Sequence, residues 1–177
     1  VPGFIFYAES CFNDTVDIAK NKAVFKKLFG GDWDDFMMAN QLDYVQEADV
    51  TELNTPNISK MLLWQDPILG HLQGDLKGLQ LDKYYQKLHL NLSKASKKGE
   101  FNKHLIMPAK LAKVLSIKAG LHANIKEAFI KNNQVYLKRT ALKLIRELKN
   151  SIQSLHEEHR SVWNRNYKPF GFEILEA

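Results

Sequence analysis

The chain is almost without cysteine. Cys11 stands alone among 177 residues, so no internal disulfide can form, and no cysteine is grouped with histidine at metal-ligand spacing. No apolar run approaches the ~20 residues that a membrane-crossing helix needs. No charged leader followed by an apolar segment opens the chain. These lacks lead to the expectation of a cytoplasmic protein with no membrane partner and no metal or other cofactor. Strand-like runs are scarce too. Gly3-Phe4-Ile5-Phe6-Tyr7-Ala8-Glu9 is a continuous apolar run of the kind that suits a strand buried on both faces. No second convincing run follows to give it a sheet. Nor is charge strongly one-sided: 25 Lys and Arg stand against 20 Asp and Glu, for a net charge of +5. The basic residues are spread along helix faces, which reads as a solvated surface and disfavours nucleic acid as a partner.

What the sequence has in quantity is helical periodicity. A long helix is expected from about Val135 to Trp163. Ala141, Ile145, Leu148, Ile152, Leu155, His159 and Val162 recur at steps of four and three and so share one face. A helix with one apolar stripe needs partners, and two earlier segments can supply them. Leu81, Tyr84 or Tyr85, Leu88, Leu92 and Ala95 form one stripe. Leu111, Leu115, Ala119, His122, Ile125 and Phe129 form another, after Pro108 in a first turn. Asn132-Asn133 makes the turn into the long helix. Towards the N-terminus, Asn13-Asp14-Thr15 can cap a helix from Val16 to Phe29 that stops at Gly30-Gly31. Asp32 can cap a shorter one from Trp33 to about Leu42. Residues 46–57 are polar and turn-forming, the best candidate for a boundary. Asn57 or Ser59 can then cap Lys60–Asp66, which Pro67 should end or kink. The tail, Lys168 to Leu175, alternates between Pro and Gly and reads as a short extended segment with Phe170, Phe172 and Ile174 on one side.

The candidate chemistry is thin. Asp14, Asp34-Asp35 and Glu157-Glu158 read as caps or solvated charge, because adjacent residues on a helix point in different directions. His122 and His159 fall on inward stripes, and His156 and His159 sit three apart, but no third ligand accompanies them. Trp64, Trp163, Tyr84 and Tyr85 could line a sugar groove; at these spacings they read as core or bundle-edge aromatics. Cys11 has no histidine partner at hand and reads as a buried small residue or a free thiol.

Four stretches together resemble the end of a bacterial glycoside hydrolase of family 20, a β-N-acetylhexosaminidase. They are Phe6-Tyr7-Ala8-Glu9-Ser10; Phe25 to Phe36, with its Phe-Gly run before Trp33-Asp34-Asp35-Phe36; Asn57 to Gly70, including Leu63-Trp64-Gln65-Asp66-Pro67; and Asn166-Tyr167-Lys168-Pro169-Phe170-Gly171-Phe172-Glu173. The last two are the most specific. The resemblance implies a (β/α)8 barrel whose Asp-Glu pair performs substrate-assisted glycoside hydrolysis. That pair lies upstream of the last barrel strand, so none of this chain's residues is expected to be catalytic. It also implies that Glu9 binds sugar hydroxyls at the end of that strand, with Tyr7 in the preceding aromatic position.

The expected fold is therefore mainly α. It is an antiparallel bundle of three long helices plus shorter ones, with a leftover barrel strand and helix at the N-terminus and an extended C-terminal tail. Residues 1–45 are expected to be the remnant of the last barrel unit, and 46–177 the helical domain. A start on an apolar run without methionine fits a piece of something longer. The expected partners are the parent's catalytic barrel and, through it, N-acetylhexosamine-containing glycans, with a homodimer contact left open. The alternative is a free-standing helical module for binding protein or nucleic acid through the basic faces around Lys138-Arg139, Lys143 and Arg146.

Overall fold

The computed structural model describes residues 2–45, 57–70 and 79–173, the side chains of His122 and Ala123 apart. Among them lie seven α-helices and no strand. These are α1 (Pro2–Ser10), α2 (Ile18–Phe29), α3 (Trp33–Met38), α4 (Ile58–Trp64), α5 (Leu81–Ala95), α6 (Ile106–Ile130) and α7 (Leu142–Asn166). The fold is mainly helical, as the periodicity requires.

Helix α6 is the hub. It was expected to bury one stripe, but it buries two sides. Ala109, Ala112 and Leu115 join Leu81, Tyr85, Leu88, Leu92 and Ala95 of α5 in the main core. Val114, Ile117 and Leu121 meet Leu148 of α7, with Ile145 and Leu155 alongside, in a second core. A middle helix must be apolar on both sides, so a one-face reading undercounts it. The contacts along α5 and α6 run in opposite chain directions. Asn102 reaches the Ala95 carbonyl, the Ala109 carbonyl meets His89, and Ser116 meets Gln86. Lys110 with Glu158 and Lys113 with Glu147 give the same antiparallel sense between α6 and α7.

The long helix expected from Val135 to Trp163 is present but opens with a π-helical turn, Tyr136–Ala141. It is also less central than its stripe suggested, because Ile152 is exposed and Leu148 is the buried residue of α7 itself. Asn132, at φ +49°, and the Asn133 side chain, which accepts from the Tyr136 N–H, make the reversal before it.

Local chemistry explains the shorter helices. Asp17, rather than Asn13 to Thr15, caps α2 through the N–H groups of Ala19 and Lys20. Gly30 ends α2 at φ +68° in the left-handed region. Asp32 caps α3, a 3-10 turn, Ala39–Leu42, continues it, and Asn57 caps α4. Of the boundary expected at residues 46–57, residues 46–56 lie outside the described residues.

The run expected as a barrel strand, residues 3–9, is helical. A lone strand would leave its backbone donors and acceptors unpaired, whereas a helix satisfies them within itself, and Pro2 suits a first turn. The tail, as far as Glu173, is not extended either. Gly171 turns at φ +98° and drives Phe172 into a pocket of His156, His159 and Trp163, while the Trp163 indole donates to the Lys168 carbonyl at 2.9 Å. Phe170 is exposed, and Ile174 and Leu175 lie outside the described residues. Trp64, read as a core or bundle-edge aromatic, is 75% exposed, whereas Tyr85 is fully buried. Cys11 is an exposed free thiol.

The N-terminal helices are fastened to the hub by aromatic packing around Phe25 and, further along, by Leu42 and Val45 in the main core and by the Tyr84 hydroxyl, which donates to the Gln41 carbonyl at 2.8 Å. Phe25 is buried among Phe29, Trp33, Phe36 and Phe101, the last from the α5–α6 connection. Beside it Asp35, read above as a cap or solvated charge, is buried. Lys98 reaches one of its oxygens at 2.7 Å and the Asn102 amide the other at 3.2 Å. That contact raises the Lys98 pKa above its ordinary value.

Asn102 holds both the Asp35 carboxylate and the Ala95 carbonyl. Asn102→Ala leaves two buried acceptors short of a donor and should cost about 1–3 kcal/mol in urea unfolding. Tyr85 gives a pH signature. Burial, only partly offset by its hydrogen bond with Ser59, pushes its hydroxyl up to about 12. A raised folded pKa means stability is fully present below the unfolded value near 10 and is lost as pH rises through the folded one. Unfolding between pH 9 and 12 should thus show a loss of stability that Tyr85→Phe reduces.

Candidate functional site

Three features of the described surface carry chemistry. The first is the end of α1. Glu9 lies with its side chain only 8% exposed, its Oε1 3.2 Å from Lys20 of α2, and its Oε2 buried with no hydrogen-bond partner. A buried carboxylate oxygen without a donor is costly, and it stands ready to accept one. Tyr7 is two residues away on the same helix and therefore on another side of it; it is exposed together with Phe4 and Phe12. The structure thus sets the two expected sugar-binding residues on one helix without bringing their side chains together.

The second is the turn after α4. Lys118 of α6 is buried, and its ammonium donates to the Leu63 carbonyl at 2.6 Å and the Gln65 carbonyl at 2.7 Å. These are orphan acceptors of a helix C-terminus, and a cation there also meets the negative end of the helix dipole. Burial pushes the Lys118 pKa down, against a smaller upward pull from Asp66. Asp66 in turn accepts from the N–H groups of Ile68 and Leu69, both at 2.7 Å. The result is a firmly held turn that exposes Trp64, Ile68 and Leu69, with Lys60 stacked 5.0 Å from the Trp64 ring.

The third is an open groove of about 560 Å³ over α6, walled by α5 and α7. Its apolar floor includes Leu121 and Leu144, and its polar rim includes Lys87, Asn91 and Asn124. Sequence reasoning missed these rim residues. Polar side chains four apart on an exposed helix face look the same whether they border a groove or only water. It missed Lys118 as well, although a lysine between Ile117 and Leu121 was a legible sign.

The remaining candidates are dispersed. Asp34 is exposed and pairs with Lys22, and Glu158 is spent on Lys110. Lys138, Arg139, Lys143 and Arg146 are exposed at the start of the long helix. Among the described residues no group of three His, Cys, Asp or Glu could hold a metal ion, and no helix is long and apolar enough to cross a membrane.

Fold and surface define a mainly helical domain with a mixed polar and apolar groove and exposed aromatic residues, its buried and half-buried carboxylates paired with lysines of other elements. The family follows from comparison: residues 34–177 match the profile described as Glycoside Hydrolase 20C C-terminal domain, and the chain belongs to that family. Such a domain implies a parent catalytic domain. The matched region begins inside α3 and takes in the α4 turn, the groove and Phe172. Neither the curated proteins nor the solved structures give a match.

The anchoring role of Lys118 is open to measurement. Lys118→Met strips the donor from two carbonyls and should cost about 1–3 kcal/mol near neutral pH. Because the folded pKa is depressed, the unfolded chain holds more protons between that value and 10.5. Wild-type stability should rise with pH through that window relative to Lys118→Met, so denaturant curves at pH 8 and pH 10 should show the gap widening.

Proposed function

We propose that the chain is the non-catalytic helical part of a cytoplasmic bacterial β-N-acetylhexosaminidase. In this reading residues 1–45 complete the catalytic barrel side, and residues 46–177 form a helical domain that braces it. The parent's own Asp-Glu pair, outside this chain, performs the hydrolysis. Glu9 binds the substrate's sugar hydroxyls once the catalytic domain covers α1, and Tyr7 meets the substrate from another side of the same helix. The family match carries the reading. Two further observations support it. Phe4, Tyr7 and Phe12 form an exposed aromatic surface at the N-terminus of a kind that a neighbouring domain covers. Glu9 keeps one buried oxygen without a donor, beside a second that Lys20 fixes.

The reading separates scaffold from catalyst, so the two should separate in an assay. The purified chain should release no chromophore from an aryl N-acetyl-β-glucosaminide at any pH, while the parent enzyme turns it over. Hydrolysis by the chain alone, at a rate above buffer and abolished by heat, would overturn the proposal.

A further inference from the structure

The function proposed above assigns no task to the groove over α6, and its chemistry points to a ligand. Lys87 and Asn91 on α5 and Asn124 on α6 border it, and no side chain of the three has a hydrogen bond or ion pair among the described residues. Lys113 is engaged with Glu147 at 2.6 Å and Lys83 with the Gln80 side chain at 2.9 Å, whereas the Asp82 carboxylate on the same wall has no partner among the described residues. The unengaged groups therefore include one ammonium, two carboxamides and one carboxylate, above a floor that includes Leu121 and Leu144. The floor is kept low by Gly120. A Cβ there would stand 3.2 Å from the Asn124 amide nitrogen and 3.9 Å from the Asp82 Cβ.

The charges select against a strongly anionic ligand. Asp82 and Glu147 offset two of the three lysines, which leaves a mixed field rather than a positive one. Carboxamides offer both a donor and an acceptor, which matches hydroxyl groups that do the same. An apolar strip below them suits a C–H face or an acetyl methyl. The volume lies in the range of small-molecule sites.

We infer that the groove between α5, α6 and α7 is a saccharide-binding site that takes a neutral N-acetylated oligosaccharide. The choice of an N-acetylated sugar rests on the function proposed above; the polar, uncharged character of the ligand rests on the groove alone. Asn91 and Asn124 hydrogen-bond ligand hydroxyls, Lys87 donates to a hydroxyl or carbonyl oxygen, and Leu121 and Leu144 receive the apolar face.

The test is a titration of the isotopically labelled 177-residue chain with N,N′-diacetylchitobiose, followed through backbone amide shifts. Saturable shifts confined to the groove, with a dissociation constant on the order of millimolar, are expected. Asn124→Leu and Lys87→Ala should each weaken binding about tenfold, the loss of one or two hydrogen bonds. Both positions are exposed, so an unchanged amide spectrum elsewhere reports an intact fold. Absent shifts, shifts outside the groove, or affinity unchanged in both variants would overturn the inference. Equal binding of inorganic phosphate would overturn it too, by making the groove an anion site. Hydrolysis does not enter this readout. A parent enzyme inactive on N-acetylhexosaminides, with chitobiose still bound here, would overturn the proposed function and leave the groove standing.

Discussion

The rest of the structure depends on the seam between α5 and α6. Leu92, Leu105 and Leu115 are fully buried along it, and each contributes about 1.5–3 kcal/mol by leaving water. Because α6 is apolar on a second side, the same helix that closes this seam also receives α7 through Val114, Ile117 and Leu121. The C-terminus of α4 is pinned to α6 by Lys118. Elements distant in sequence are thus ordered through one helix, and a shift of α6 would move the groove walls and the Trp64 turn together.

The N-terminal helices use a different kind of bond. Phe25, Phe36 and Phe101 supply area and edge-to-face geometry, but aromatic packing alone tolerates some sliding. The buried Asp35 carboxylate, held by Lys98 on one oxygen and Asn102 on the other, fixes the register. Replacing one partner of such a network costs more than the net gain from forming it, because the partner left behind stays buried without its hydrogen bond. Since Asn102 also caps the Ala95 carbonyl, the join and the end of α5 are one construction.

Much of this was legible where local rules act alone. Asp32 and Asn57 cap the helices that follow them, Gly30 stops α2, and α4 ends ahead of Pro67. Leu81, Tyr85, Leu88, Leu92 and Ala95 are buried as their spacing requires. The misreadings share a cause, which is that the side chain's partner lies far away in sequence. Asp35 resembles a solvated first-turn acid until Asn102 arrives 67 residues later. Lys118 resembles a surface lysine until the end of α4, more than 50 residues away, is laid against it. The run Gly3–Glu9 has the composition of a buried strand, but a strand is defined by its neighbours, and α1 forms where the described residues offer none. The groove was illegible for the opposite reason: its rim residues contact little, and lack of contact leaves no periodic trace.

The distribution of charge bears on what kind of work the domain can do. Acid catalysis on a glycoside needs two carboxyl or acetamido groups facing one bond from fixed positions. Here the buried or half-buried carboxylates are engaged across helices: Asp35 with Lys98, Glu158 with Lys110, Glu147 with Lys113, Glu9 with Lys20. Each such pair trades chemical availability for a fixed distance between two elements. A domain built in this way holds shape well and offers few reactive groups. Glu9 differs from the others because its second oxygen is still unfilled. It is therefore the acid in this set whose environment a neighbouring domain or a bound sugar could complete.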